Sequence, residues 1–148
     1  MLLRLGQSLS FDEALRDANR YVLELAQREG PDTCVTFTML RSANERRLPQ
    51  FKNRLGEPAH SEPDGSDWSD AEWLQAVMGE LGEYANVRKK LRRGDFTRDE
   101  ALPIMRDELA DVVCYLDILA FRLGIDLGEA VRDKFNRVSE RVGSDVKL

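Results

Sequence analysis

The sequence of 148 residues predicts an all-α fold, on the strength of three observations. Helix-start signals, in which a capping Ser, Thr or Asp stands three residues before a Glu, recur along the chain. Gly30, Gly94 and Gly124 follow stretches with helical periodicity, where a helix is expected to stop. No segment shows convincing alternation with β-branched enrichment, and "TCVTFT" at 33–38 is only a weak exception.

Each expected helix rests on a start signal, a stop signal or an apolar periodicity. The segment "LGEPAHSEPDGSD", between the second and third helices, is rich in Gly, Pro, Ser and Asp, so we expect a loop there. Pro103 is expected in the first turn of the fourth helix, with "FTRDEAL" as a short lead-in. The start signals are Ser10–Glu13, Ser69–Glu72, Thr97–Glu100 and Asp126–Glu129, and the expected helices span about 10–29, 36–54, 69–93, 103–123 and 126–142.

Length and composition favour one domain of a cytoplasmic protein. The chain can bury a sizeable core, so we expect a single domain over 1–148, with a helical extension at 1–30 and a helical bundle at 36–143. No apolar run approaches the roughly 18 residues of a membrane span, and the first residues lack a signal-peptide core and cleavage site. Cys34 and Cys114 are lone thiols, as in reduced intracellular proteins.

The charge of the chain argues against a nucleic-acid partner. Its 27 Asp and Glu outnumber its 22 Lys and Arg, which gives a net charge of −5. Binding to a nucleic-acid backbone requires a basic face. We therefore expect neither nucleic acid nor membrane as a partner.

Two pairs of carboxylates lie on the apolar faces of consecutive helices. On a wheel of the third helix centred on Trp73, Glu80 falls about 20° from the middle of the apolar face and Glu83 about 80° from it. In the fourth helix, Glu108 and Asp111 lie on the core side at the same spacing. Packed together, the helices would gather up to four carboxylates in one partly buried pocket.

Such a cluster requires a proton or a cation, because desolvation and repulsion disfavour adjacent buried charges. Oxygen ligands alone suit Mg²⁺, with Mn²⁺ as a possible substitute. Zinc is disfavoured because no Cys or His accompanies the acids; the only histidine, His60, lies in the expected loop. A di-iron bundle would need Glu-x-x-His on two helices. The alternative is that the acids lie at helix edges as solvated or ion-paired residues.

The segments "GELGEYANVRKK" (79–90) and "DELADVVCYLDILAFRLGIDLGEAVRDKFNRVSERVG" (107–143) resemble the MazG-like all-α nucleoside triphosphate pyrophosphohydrolases. That superfamily includes dimeric dUTPases, dCTP pyrophosphatases and phosphoribosyl-ATP pyrophosphohydrolase. The resemblance covers roughly 37–143 and includes Glu-x-x-Glu, then Glu-x-x-Asp, then a terminal helix with Lys, Asn and Arg. It implies a bundle of four core helices plus an N-terminal helix, assembled as a dimer or dimer of dimers. It also implies Mg²⁺-dependent hydrolysis of an NTP or dNTP to the monophosphate and pyrophosphate.

The resemblance assigns roles to particular residues. Many members carry a further Glu just before the first acid, whereas this chain has Gly79, as dCTP pyrophosphatases do. That difference leaves the number of metals open, and Glu80 is our candidate for the base that activates water. The implied Mg²⁺ ligands are Glu80, Glu83, Glu108 and Asp111, and the implied phosphate contacts are Lys90, Tyr115, Lys134, Asn136 and Arg137.

Several of these residues have a simpler interpretation. The basic run "RKKLRRG", which includes Lys90, stands at a helix C-terminus, where cations favour the helix dipole. Lys134 and Arg137 are equally compatible with surface ion pairs. Trp68 and Trp73 fit a hydrophobic staple around Ser69. The same tryptophans are also candidates to stack on a nucleobase. The candidate base-binding residues are His60, Trp68, Trp73, Asn44 and Arg47.

The fourth helix is apolar almost all round, with Val113, Cys114, Ala120 and Phe121 lying off the core side. A helix of this kind is buried on two sides, which indicates a subunit interface in a homodimer or homotetramer. The leading functional hypothesis is a (d)NTP pyrophosphohydrolase that maintains a nucleotide pool. The alternatives are a relative specific for dCTP, dUTP or phosphoribosyl-ATP, and a catalytically silent helical assembly module.

Overall fold

The computed structural model describes residues 35–148, and four α-helices make up most of this part of the chain. They are α1 (Phe37–Arg47), α2 (Asp70–Arg93), α3 (Arg98–Arg122) and α4 (Leu127–Arg141), and the 3₁₀ turn Leu48–Gln50 extends α1. Within residues 35–148 there is no strand, only two isolated β-bridges in the loop between α1 and α2. The all-α class is thereby confirmed for these residues. The expected helix at 10–29, the extension at 1–30 and Cys34 lie outside the described residues.

Capping groups define the helix ends as the sequence predicts. Before α3, the Thr97 hydroxyl accepts from the Glu100 amide at 3.3 Å, and the Glu100 carboxylate accepts from the Thr97 amide at 2.8 Å. Gly94 and Gly124 adopt φ of 84° and 70° after α2 and α3, which glycine tolerates best. The same type of start is present at α2, where the Glu72 carboxylate accepts from the Ser69 amide. At α4 only half of the expected capping box forms, in which the Asp126 carboxylate accepts from the Glu129 amide.

Two expected helix boundaries are wrong. The helix expected over 36–54 ends at Arg47, and Pro49, which cannot donate a backbone hydrogen bond, lies in the 3₁₀ turn that follows. The helix expected over 103–123 begins at Arg98, directly after its cap Thr97. Pro103 therefore lies inside α3 rather than at its start, and the lead-in is helical.

The helices α2 and α3 form an antiparallel pair around an apolar seam. Trp73, Val77 and Val87 of α2 are buried there, as are Ala101 and Ile118 of α3. Burial of a large apolar side chain stabilises the fold by about 1.5–3 kcal/mol, so this seam is a main source of stability. No helix in the described part of the chain is long and apolar enough to cross a membrane.

A buried carboxylate attaches α1 to α3. Asp117 is only 1% exposed, and its Oδ1 accepts from Nη2 and Nε of Arg41 at 3.0 and 3.1 Å. Its Oδ2 accepts from Nδ2 of Asn44 at 3.0 Å, and the same amide nitrogen donates to the Cys114 carbonyl at 3.2 Å. These bonds fix the position of α1 along α3, because a buried charge must keep its partners.

The last helix, α4, packs on α1 and α3. A Cβ added at Gly128 would lie 3.1 Å from the Phe37 Cβ, so the absence of a side chain allows this close approach. Among the described residues α4 makes no comparable contact with α2. Within the described residues, α1 and α4 thus both pack on the α3 member of the α2–α3 pair.

We expect Arg41→Met to lower the free energy of unfolding by about 2–4 kcal/mol, because the buried Asp117 carboxylate would be left with only Asn44 as a side-chain partner. Urea denaturation at pH 7 measures this. The double variant Arg41→Met/Asp117→Leu should recover at least about half of the loss, since no buried charge remains. Arg46→Met, on the exposed side of α1, is the matched control. A loss below about 0.5 kcal/mol for Arg41→Met would contradict the proposed role of the pair.

Candidate active site

The acids predicted from helical periodicity converge between α2 and α3. One carboxylate oxygen from each of Glu80, Glu83 and Glu108 lies within 4.8 Å of the other two. The charge of Asp111 also acts on Glu80, and the two residues line one pocket. Glu80 and Glu108 are half-buried, whereas Glu83 and Asp111 are exposed. The cluster therefore lies at the edge of the core, with access from one side.

Glu80 is the acid most affected by this environment. Burial raises the pKa of Glu80 above its ordinary value of 4.5, and the charges of Asp111, Glu83 and Glu108 raise it further. A hydrogen bond with Glu108 acts in the same direction, because it favours the protonated form. The cluster thus favours uptake of a proton, or of a cation, at Glu80.

A pocket of about 270 Å³ opens beside the acids. Glu80 and Asp111 form its acidic side, and Arg47 is the one formally charged cation among its lining residues. Its size is close to the lower end for small-molecule sites. The remaining lining residues are Leu48, Phe51, His60, Cys114, Tyr115 and Ile118.

His60 belongs to the α1–α2 loop, and its side chain lies at the centre of an aromatic cluster. Its ring stacks on Trp73 with centroids 5.6 Å apart, and meets Trp68 and Phe51 edge-on at 4.9 and 5.3 Å. Its Nε2 lies 3.3 Å from the Tyr115 hydroxyl. Burial lowers the pKa of His60 below 6.5, so the imidazole is neutral at neutral pH. The loop therefore contributes a neutral aromatic wall to the pocket.

Trp68 and Trp73 have the geometry of the predicted hydrophobic staple. Their centroids are 5.0 Å apart on either side of the cap Ser69. Trp73 is 0% exposed, so it offers no accessible face to a nucleobase in this structure. Nε1 of Trp73 and Nδ1 of His60 are buried without a hydrogen-bond partner among the described residues. Trp68 is half-buried and remains a candidate for base contact.

The two candidate base-binding residues on α1 differ in their access to the pocket. Asn44 is buried, and its amide nitrogen is already occupied by Asp117 and Cys114, so its side chain does not reach a base. Arg47 lines the pocket and lies over the Phe51 ring at 5.5 Å. Only Arg47 of this pair can therefore contact a ligand directly.

The structure does not bring the other predicted phosphate contacts to this pocket. The ammonium of Lys90 lies 5.5 Å from the centroid of the Phe96 ring. Asn136 bonds the backbone of Leu148 at 2.9 and 3.2 Å. Lys134 and Arg137 are exposed on α4, which does not pack on α2. Their phosphate role has no support in a single chain, whereas Tyr115 lines the pocket.

Sequence reasoning missed three residues that shape the site. Phe51 and Cys114 line the pocket, and Asp117 fixes the helix that carries Arg47. An acid within the apolar run "YLDILAF" was a signal for a buried ion pair, because isolated buried charges are rare. No comparable signal indicated that the loop would fold back and bring His60 to the pocket.

Comparisons of the chain with protein-family models, with curated proteins and with solved structures found no match. Membership of the MazG-like superfamily is therefore a hypothesis based on the motifs alone.

In the absence of metal, we expect Glu80→Gln to stabilise the protein at pH 7 by about 0.5–1 kcal/mol, the size of a partly exposed charge interaction. The folded-state pKa of Glu80 is raised, so its contribution to stability is present below 4.5 and is lost as pH rises through the folded-state pKa. Thermal unfolding in EDTA from pH 4 to 8 tests this. The melting temperatures of wild type and variant should converge at low pH and diverge at neutral pH. Parallel curves would contradict the raised pKa.

Proposed function

We propose that this chain is a Mg²⁺-dependent nucleotide pyrophosphohydrolase that cleaves an NTP or dNTP to the monophosphate and pyrophosphate. The observation that carries the proposal is the convergence of acids from α2 and α3 beside a pocket whose other walls hold Arg47 and aromatic rings. The motif resemblance to the MazG-like enzymes supports the same reaction. The proposed setting is the cytoplasm, in maintenance of a nucleotide pool.

The donor set fits Mg²⁺, with Mn²⁺ as a substitute. Glu80, Glu83 and Glu108 supply oxygen ligands from three carboxylates, and Asp111 adds charge beside them. The raised pKa of Glu80 is the electrostatic conflict that a divalent cation would relieve. When bound, Mg²⁺ would neutralise triphosphate charge and make water more acidic.

The reaction assigns the chain's own residues distinct tasks. A water oxygen attacks a phosphorus of the triphosphate, the bond to the bridging oxygen breaks, and pyrophosphate leaves. Glu80 takes the proton from that water, because it faces the pocket and its raised pKa makes it a stronger base than an ordinary glutamate. The Tyr115 hydroxyl, within reach of the same pocket, would bind a phosphate oxygen.

The aromatic wall of the pocket favours an enzyme that discriminates between the nucleobases of its substrates. Phe51 and His60 line the pocket, and Trp68 lies against His60. Flat apolar rings bind a nucleobase by stacking, which discriminates by shape and edge chemistry. This is the observation in favour of the narrower alternatives, a dCTP, dUTP or phosphoribosyl-ATP pyrophosphohydrolase.

We further propose a homodimer, or a dimer of dimers, built on one face of the α2–α3 pair. The antiparallel pairing that brings Glu80 to Glu108 also places exposed apolar residues of the two helices at matching levels on one side. A contiguous patch of this kind is unusual for a monomer. The patch, called the α2–α3 apolar face, consists of Leu74, Met78, Leu81, Leu102, Leu109, Val113 and Leu116.

The primary test is pyrophosphate release from the common NTPs and dNTPs, with Mg²⁺ or with EDTA. We expect release with Mg²⁺ only, and at least about 10²-fold slower release by Glu80→Gln, because a general base typically contributes 10²–10⁴-fold. Phosphoribosyl-ATP belongs in the panel, and the pattern of turnover reads out base and sugar preference.

Asp107→Asn is the matched control, since Asp107 is an exposed acid on α3 next to Glu108 but outside the acid cluster. Its turnover should equal that of wild type. If a folded wild-type protein releases pyrophosphate from no member of the panel, the enzymatic proposal fails. The silent assembly module would then be the better hypothesis.

The assembly proposal predicts that Leu109→Glu yields a monomer, because it places a charge in the α2–α3 apolar face. Sedimentation velocity measures the change from dimer or tetramer to monomer. Asn86→Glu is the control, since Asn86 is exposed on α2 and no residue three or four positions from it belongs to that face. A wild-type monomer, or a Leu109→Glu variant that still self-associates, would contradict this interface.

A further inference from the structure

The pocket is lined by groups of opposite charge that come from different helices. Glu80 and Asp111 come from α2 and α3, whereas Arg47 comes from the last turn of α1. The only other basic group in the lining, His60, is held neutral by burial. A ligand that fills the pocket therefore meets both carboxylates and a guanidinium.

The orientation of the Asn44 side chain is determined by its partners. Its Nδ2 has two acceptors, the Asp117 carboxylate at 3.0 Å and the Cys114 carbonyl at 3.2 Å. An oxygen in that position would face two other oxygens, so the amide cannot be flipped. The amide oxygen of Asn44 must then point away from Asp117, where it accepts from Nη2 of Arg47 at 3.3 Å.

Arg47 is held so that it does not collapse onto the acids. Nη2 is bonded to Asn44, and the guanidinium lies over the Phe51 ring at 5.5 Å. It forms no ion pair with any carboxylate within residues 35–148, although it lines a pocket with Glu80 and Asp111. A guanidinium has five N–H donors, so Arg47 keeps donors for a ligand.

We infer that Arg47 binds the phosphate tail of the substrate, and the pyrophosphate product, with Asn44 as the positioning residue that aims it. The inference rests on the proposed function and names the ligand chemistry that Arg47 recognises, a polyphosphate complexed with a divalent cation. Guanidinium groups pair with phosphate oxygens through charge-assisted, often bidentate hydrogen bonds. Because the acids and Arg47 line the same pocket, the acids would hold the divalent cation of this complex and Arg47 would bind its free phosphate oxygens.

Arg47 is less suited to contact the nucleobase of the substrate. A nucleobase is neutral, and the neutral rings of Phe51 and His60 already form a surface for it. Arg47 was grouped with Asn44 as a base contact from sequence, but the structure makes Asn44 a partner of Arg47 instead. The Asp117 carboxylate acts through Asn44 and so indirectly fixes Arg47.

The test is calorimetric titration of inorganic pyrophosphate with Mg²⁺ into the full chain, which requires no turnover. We expect Arg47→Ala to weaken binding by about 10–100-fold and Arg47→Lys to retain part of it, since charge is kept but the planar fork is lost. Arg46→Ala is the matched control, because Arg46 is the exposed neighbour on α1 and donates to the Ser42 carbonyl of its own helix. It should bind like wild type.

Asn44→Ala separates positioning from a merely structural role. If Asn44 aims Arg47, its loss weakens pyrophosphate binding in wild type but has little further effect in the Arg47→Ala background. If it only supports the fold, the two effects multiply. Arg47 is exposed, so its own variants remain informative even if Asn44→Ala folds poorly.

The outcomes distinguish this inference from the proposed function. Arg47-dependent binding of Mg²⁺-pyrophosphate without nucleotide turnover would support the polyphosphate site and overturn the hydrolase. Turnover that requires Glu80, with pyrophosphate affinity and KM unchanged in Arg47→Ala, would overturn the role of Arg47 and leave the hydrolase intact. Failure of wild type to bind Mg²⁺-pyrophosphate would also overturn the role of Arg47.

Discussion

The buried carboxylate of Asp117 determines how α1 meets the rest of the described fold. A carboxylate this deep costs several kcal/mol in desolvation, and that cost is offset only while Arg41 and Asn44 both bond it. An apolar contact would tolerate sliding of α1 along α3, but a pair of directional bonds does not. The position of α1 is therefore fixed, and so is the part of the pocket wall that its last turn forms.

The acid cluster lowers the stability of the structure where the proposed chemistry takes place. Glu80 lies half-buried beside Asp111, Glu83 and Glu108, and burial and repulsion both disfavour its charge. Apolar residues at these points would stabilise the α2–α3 seam. Local electrostatic conflict at a site, with stability supplied elsewhere, is common where a protein binds an ion. Here the Trp73 seam and the Asp117 network supply that stability.

Predictions from sequence succeeded where one helix contains the whole pattern. The caps at Thr97 and Asp126 depend on residues three positions apart. The orientation of Glu80 and Glu108 toward each other depends on the helical period of 3.6 residues per turn. The predicted end of α1 was wrong because residues beyond Pro49 continue an apolar pattern without forming a helix.

Long-range packing explains what sequence reasoning could not supply. The bond from Asn44 to Asp117 spans 73 positions, and no local rule connects the two residues. His60 reaches the pocket because a loop folds back across the end of α2, and its ring is held by Trp68, Trp73 and Phe51 from different segments. Lys134 and Arg137 were expected near phosphate, but neither residue lines the pocket beside the acids.

The α2–α3 pair has two sides of different character, one acidic and one apolar, and this division would relate the proposed assembly to the proposed chemistry. On the helical wheels, Glu83 and Asp111 turn to the side on which α1 and the pocket lie, while Leu81 and Leu109 turn to the other. A second copy docked on the apolar face would leave the mouth of the pocket open. It would also hold α2 against α3 at the level of Glu80, where repulsion between acids acts to separate them. Self-association through this face would therefore stabilise the floor of the pocket.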